Sequence, residues 1–366
     1  LKGIFLFLLF PLVSWAFSGM ARHGYNNCIA CHVSPSGGGI LNLYGREISK
    51  EVLSTWAQKN EQQAFYNLTP LREDFYVAAF ARGLQLHRQN QSLTEGKPIL
   101  MQADLESAYI LNKKIIFDLT AGRQEYRTSS THSTDRLYFR RYFIAANILG
   151  PHYLRSGKFQ YTFGLNDPNH YSSVRRDFSF GQDSETFNYE YSYLGEKLNI
   201  YYAEVRGNPH DEKSYNKTKG RSLTTSYFFF NKNKIGTSIL NDHDKNKSRG
   251  IYGVWGIYSF TKKLYADAEF NLQRKTNRPL NTKQNGYSSS SKVHYVVLKG
   301  VIPYLVWEKS YLDTKNPLVE KSVYGAGIDF FPRPHFELNL NYQREVLEEV
   351  KDSATNMAWL MLNIYL

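Results

Sequence analysis

The chain of 366 residues has only two cysteines, which excludes a zinc site built from two cysteine pairs. It also lacks any apolar run of about 20 residues, the length a helix needs to cross a bilayer. No paired carboxylates, nucleophile triad or phosphate-binding loop stand out, and no Ser/His pair can be picked out on one strand face. The sequence therefore carries no expectation of a conventional enzyme.

Both cysteines stand in one motif, Cys28-Ile29-Ala30-Cys31-His32. Two thiols at this spacing can form thioethers to one haem, and the histidine that follows is held against the iron as proximal ligand. The expected cofactor is one covalent haem c, bound by Cys28, Cys31 and His32. A plain disulfide in an oxidising compartment is the alternative, although it leaves His32 unexplained. For the sixth position at the metal, Met20, His23, His87, His132, His152 and His170 are available. His23 ranks first.

Lys2, the apolar stretch Ile4 to Val13 and Ser14-Trp15-Ala16 have the order of a secretory signal. Residues 1–16 are expected to be removed, and export suits covalent haem attachment, which takes place outside the bacterial cytoplasm. A haem-binding segment follows at 17–71, with a Gly37-Gly38-Gly39 turn. Residues 41–63 read as helical, with Leu43, Ile48, Val52, Leu53 and Trp56 as an apolar stripe.

From residue 72 to 366 the period becomes two. Leu105 and Tyr109 alternate with Asp104 and Glu106, Phe270 and Leu272 with Glu269 and Asn271, and Leu340 and Tyr342 with Asn339 and Asn341. Such alternation suits a soluble sheet with its apolar face inward or a membrane barrel with its apolar face in lipid. A mean hydropathy of −0.49 with 28 Tyr and 23 Phe fits a barrel, but composition alone leaves the choice open. Roughly sixteen strand-like runs begin near Asp74, each long enough for the 9–11 residues that cross a bilayer. The fold expected is all-β: a transmembrane antiparallel β-barrel preceded by a small, partly helical segment. Short connections such as Leu194-Gly195-Glu196 alternate with long polar ones at 208–219 and 274–292. The loop with Asp242, His243 and Asp244 reads as solvated rather than metal-binding. The alternation of Ala358, Leu360, Leu362, Ile364 and Leu366 resembles the C-terminal signal of outer-membrane assembly, departing from it by ending in Leu366 rather than an aromatic, with Tyr365 one step earlier.

A net charge of +12 favours anionic partners: lipopolysaccharide beside the lipid, anionic small solutes, or an acidic redox protein. Nucleic acid is not expected for an exported chain.

Two local resemblances sharpen this. Gly157-Lys158-Phe159 through Phe163-Gly164-Leu165, followed by Arg175-Arg176, resembles a pattern of the phosphate-selective porin family, whose corresponding loop folds into the pore. In such a loop Arg175 and Arg176, with Lys158 as a further constriction candidate, would make a pore favour anions; on an outer loop the same arginines would touch anionic lipid headgroups. The block from Ala21 through CxxCH to Tyr44-Gly45-Arg46 resembles the haem-bearing head of proteobacterial outer-membrane proteins in which a monohaem segment precedes a porin-like barrel. That resemblance implies haem on the periplasmic side.

One haem cannot carry electrons through an apolar band of about 25 Å, so a periplasmic redox protein or multihaem cytochrome is the expected partner. By analogy, a porin of this strand number is often a homotrimer. The leading expectation is electron transfer or redox relay at the periplasmic face, coupled in some form to solute passage. The alternatives are an anion-favouring diffusion porin plugged by its N-terminal segment, and a haem-free structural barrel with a disulfide.

Overall fold

The computed structural model describes residues 18–63, 65, 72–127, 133–167, 169, 171–180, 184–208 and 217–366. The expected signal at 1–16, His132 and His170 lie outside the described residues.

Sixteen strands follow one another. The first four are β1 (Phe75–Gln89), β2 (Thr94–Leu111), β3 (Ile115–Arg127) and β4 (Ser133–Leu149). Next come β5 (His152–Phe159), β6 (Thr186–Leu194), β7 (Leu198–Gly207) and β8 (Lys219–Phe229). They are followed by β9 (Asn233–His243), β10 (Lys247–Ser259), β11 (Leu264–Asn277) and β12 (Thr282–Tyr295). The last are β13 (Val301–Tyr311), β14 (Glu320–Phe330), β15 (Phe336–Leu347) and β16 (Thr355–Tyr365). Neighbours in sequence pair antiparallel, β16 pairs with β1, and β9 lies against β10, so the barrel closes. Closure leaves no strand edge unpaired, the condition for a sheet in lipid.

Burial decides between barrel and soluble sheet. Leu105, Leu305 and Trp307 are 57%, 64% and 56% exposed on the outer wall, while the inward Ser238 and Asn271 are 0% exposed. An inside that is polar and an outside that is apolar would be unstable in water and is stable in a bilayer.

Tight turns join the strands at the mouth where the C-terminus ends; in the three-residue connections after β2 and β8, Asn112-Lys113 and Phe230-Asn231 adopt positive φ. Four register shifts interrupt the ladders among the described residues, and two of them re-aim lumen side chains. The register slips between Arg82 and Gly83 opposite Met101, which turns Met101 into the lumen. It slips again between Thr120 and Ala121, so Arg140 and Arg141 both point inward.

Three expectations are corrected. The stretch 274–292 is no loop: β11 and β12 run through it as a long hairpin. Asp242 is an inward strand residue paired with Arg249. After a short α1 (Ser18–Ala21), the helix expected over 41–63 covers only α2 (Leu43–Ile48) and one wider turn, Ser49–Leu53. Ser54 then turns extended, its hydroxyl bonding the Ser49 carbonyl at 2.6 Å, and Trp56 leaves the stripe to pack edge-on against Phe330.

Candidate functional site: a plugged lumen

Residues 18–63 form a plug in the mouth that bears the tight turns. Asn26 donates to the carbonyls of Gly195 and Glu196, both at 3.0 Å, and Lys234 donates to the Asn26 carbonyl at 2.9 Å. On the far side, the Thr55 amide reaches the Phe331 carbonyl at 2.8 Å and the Trp56 amide reaches Pro332 at 2.9 Å. Glu61 pairs with Arg333, and Ser49 bonds Tyr365 at 3.3 Å. The turns are thus tied to the plug from several directions around the mouth.

The CxxCH motif is a single 3₁₀ turn within this plug. The amides of Cys31 and His32 both bond the Cys28 carbonyl, at 3.1 and 2.9 Å. Asn42 fastens it: its side-chain amide donates to the carbonyls of Ile29 and Ala30, while its oxygen caps α2 by accepting from the Gly45 amide at 2.8 Å. A methyl group at Gly45 would run into the Cys31 backbone, and one at Gly37 would lie 3.0 Å from the Cys28 Cβ. Both glycines leave the turn room.

Cys28, Cys31 and His32 face a lumen cavity of about 710 Å³. Burial pushes both thiols above their ordinary range, Cys31 to about 11 with Cys28 adding to the shift. Burial also lowers His32 to about 4, against the opposing pull of the Gly39 carbonyl. At neutral pH the imidazole is therefore uncharged, the form that binds a metal. His32 Nδ1 is buried without a hydrogen-bond partner. Both cysteines are free thiols in this structure.

The cavity's other wall is the connection 160–185, which folds inward and carries α3 (Ser173–Arg176). The barrel holds it by charge: Glu269 accepts from the Leu165 amide at 2.8 Å, Glu308 from the Ser173 amide at 2.7 Å, and Lys292 pairs with Asp167. The inward loop implied by the phosphate-porin resemblance is present, but the arginine constriction is not. Lys158 is buried and donates to the Tyr138 hydroxyl and to the Phe139 carbonyl at 2.9 Å. Arg175 is buried beneath the loop, bonding the Phe163 carbonyl and Asn166. Arg176 does line the cavity, tied to Asp177 and Glu345. Seven carboxylates and seven Lys or Arg side chains line the cavity, so its walls are balanced rather than anion-favouring.

His23 is also displaced from its expected role. It is exposed on the plug, accepts from Arg22 at 3.1 Å, and is not among the cavity residues. His152 is held by the Tyr191 hydroxyl at 2.8 Å, and His87 is exposed. Of the sixth-ligand candidates among the described residues, Met20 alone lines the cavity. A further lumen histidine, His294, bonds Asp267 at 2.9 Å and stacks on Tyr265. It shares the inward parity of Lys292 on β12, the signal by which sequence could have found it.

No protein-family model matches the chain, and no curated protein does. Solved structures do share its fold. A loop-deletion mutant of OmpT, an outer-membrane protein of Vibrio cholerae, is 11% identical with a TM-score of 0.60, covering 80% of this chain and 100% of that one. OprB of Pseudomonas putida is 10% identical with a TM-score of 0.60, over 80% of this chain and 94% of its own. The outer membrane channel DcaP of Acinetobacter baumannii is 11% identical with a TM-score of 0.57, over 80% and 97%. The fold is that of the closed 16-strand outer-membrane barrels.

Proposed function

We propose that this chain is an outer-membrane barrel whose plug holds one covalent haem c through Cys28 and Cys31, with His32 as proximal ligand. It acts as a redox relay between the periplasm and the lumen. The observation that carries this reading is the direction of the motif: the two thiols and the imidazole face the lumen cavity from a turn braced by Asn42, Gly37 and Gly45. The bound group would supply one-electron transfer. The chain's own residues supply the rest. Asn42 fixes the turn, the plug contacts close the mouth, and the inward loop limits access from the opposite side. A soluble periplasmic redox protein or multihaem cytochrome is the partner on the plugged face, and lipopolysaccharide surrounds the barrel. No enzymatic role is assigned.

A second reading, a diffusion channel with the segment as a plug, is favoured by the fold: one neighbour is itself described as a channel. A trimeric assembly is proposed on similar grounds, since one neighbour is described in a trimer form.

The test is an absorbance spectrum and haem stain after denaturing electrophoresis. Protein from a host with c-type maturation machinery is compared with a Cys28→Ala/Cys31→Ala control. A haem signal that survives denaturation and disappears in the control supports the relay. Its absence from properly matured protein removes the relay, and solute conductance in planar bilayers then tests the channel.

A further inference from the structure

Most of the lumen wall is polar, with Ser238, Asn271, Ser288 and Ser290 at inward positions of β9, β11 and β12. The wall made by β1 and β16 differs. Its inward side chains pair rung by rung, Leu84 beside Met361, Leu86 beside Trp359 and Arg88 beside Met357, and all six line the cavity. A strip of large apolar side chains facing a water-filled pore is unfavourable unless something apolar covers it. The strip has an arginine at each end, about 20 Å apart along the strand. Arg88, at the end away from the plug, is exposed and forms no ion pair among the described residues. Arg82, at the plug end, faces Glu337 and Asp104, yet its Nε is buried without a hydrogen-bond partner.

We propose that the β1–β16 wall is a binding site for a hydrophobic organic carboxylate. Its apolar body lies on Leu84, Leu86, Trp359 and Met361, and its carboxylate pairs with Arg88. Charge complementarity selects an anion, because Arg88 forms no ion pair among the described residues and carboxylate is the ion a guanidinium binds in a two-pronged fit. The apolar strip selects against small hydrophilic anions. A lumen cavity of about 710 Å³ has the size of a small-molecule site. The site does not depend on the haem.

The test titrates the full-length protein in detergent with naphthoate, and with naphthylmethanol as its uncharged counterpart, by calorimetry. Naphthoate is expected to bind at least about tenfold more tightly than the alcohol, the scale of one charge-assisted contact. Arg88→Gln should abolish that difference and leave alcohol binding unchanged, Arg88→Lys should restore part of it, and Leu86→Ser should weaken both ligands about fivefold. Heat-modifiable migration confirms that each variant is folded. Equal binding of acid and alcohol, or naphthoate binding indifferent to Arg88→Gln, overturns the proposal. The Cys28→Ala/Cys31→Ala chain should bind naphthoate as the parent does. Binding confined to that variant would mean that the group on the plug covers the strip, and would overturn it too.

Discussion

Gly45 has no side chain because the Cys31 backbone lies where one would go. The helix start and the CxxCH turn are locked together there, with Asn42 bonded to both, so the turn that carries the thiols is fixed. With Cys31 raised to about 11 by burial and by Cys28, few thiolates exist near pH 8. In haem-free protein, maleimide labelling of Cys31 should therefore run roughly a hundredfold slower than for an ordinary thiol and keep rising toward pH 11. Gly45→Ala forces the two backbones apart and should speed labelling at pH 8 by at least about tenfold. Parent protein labelling as fast as a free peptide would disprove the burial on which this rests. At this scale the sequence was legible where position depends on spacing: Cys28, Cys31 and His32 share one turn. It was not legible where chemistry depends on direction. His23 is near the motif in sequence but faces Arg22, and Arg175 lies beneath its own loop rather than in the pore.

Among the elements, the inward connection 160–185 is held chiefly by buried carboxylates that accept its backbone amides. Glu308 meets the Ser173 amide at the start of α3, and Glu269 meets Leu165. Removing one such acceptor leaves a buried N–H unsatisfied, which costs about 1–3 kcal/mol. Glu308→Ala should accordingly raise amide exchange across residues 173–176 while the strands stay protected. Unchanged exchange at Ser173 would mean that the loop is held by other contacts. The strands were readable because alternation is a local signal, and Asp104, Glu106, Glu269 and Asn341 all face inward as their parity requires. The bulges at Met101 and Arg140 were not, since a slipped register depends on the partner strand. The hairpin at 274–292 resembles a loop in composition because its strands carry polar residues on both faces. The helix reading over 41–63 ran too long because apolar spacing continued past Ser54, where the backbone turns extended.

For the whole molecule, the decisive feature is that a short N-terminal segment closes one mouth of the barrel. Its anchors join residues far apart in the chain, Asn26 to Asn199 and Glu61 to Arg333, so no local pattern announces them. One anchor titrates. His335, in the turn between β14 and β15, is 0% exposed and packs against Tyr365; burial, then the charge of Arg46, lowers it to about 4. The seated plug therefore refuses a proton that an exposed histidine accepts below pH 6.5. Seating is fully favoured above that pH and weakens as pH falls toward 4, by roughly 3 kcal/mol in all if the plug lifts away and exposes the ring. Burial works against the Glu61 charge, but Arg333 and the Gln58 amide outweigh it and hold that carboxyl below its ordinary value, so this ion pair persists through most of the window. Planar-bilayer recordings of the haem-free Cys28→Ala/Cys31→Ala chain should show a mostly closed barrel at pH 7 and growing open conductance between pH 6 and 4.5. A His335→Gln variant should lose most of that dependence. Conductance that is already high at pH 7, or equally pH-dependent in the variant, would show that the segment does not seal the mouth through this turn.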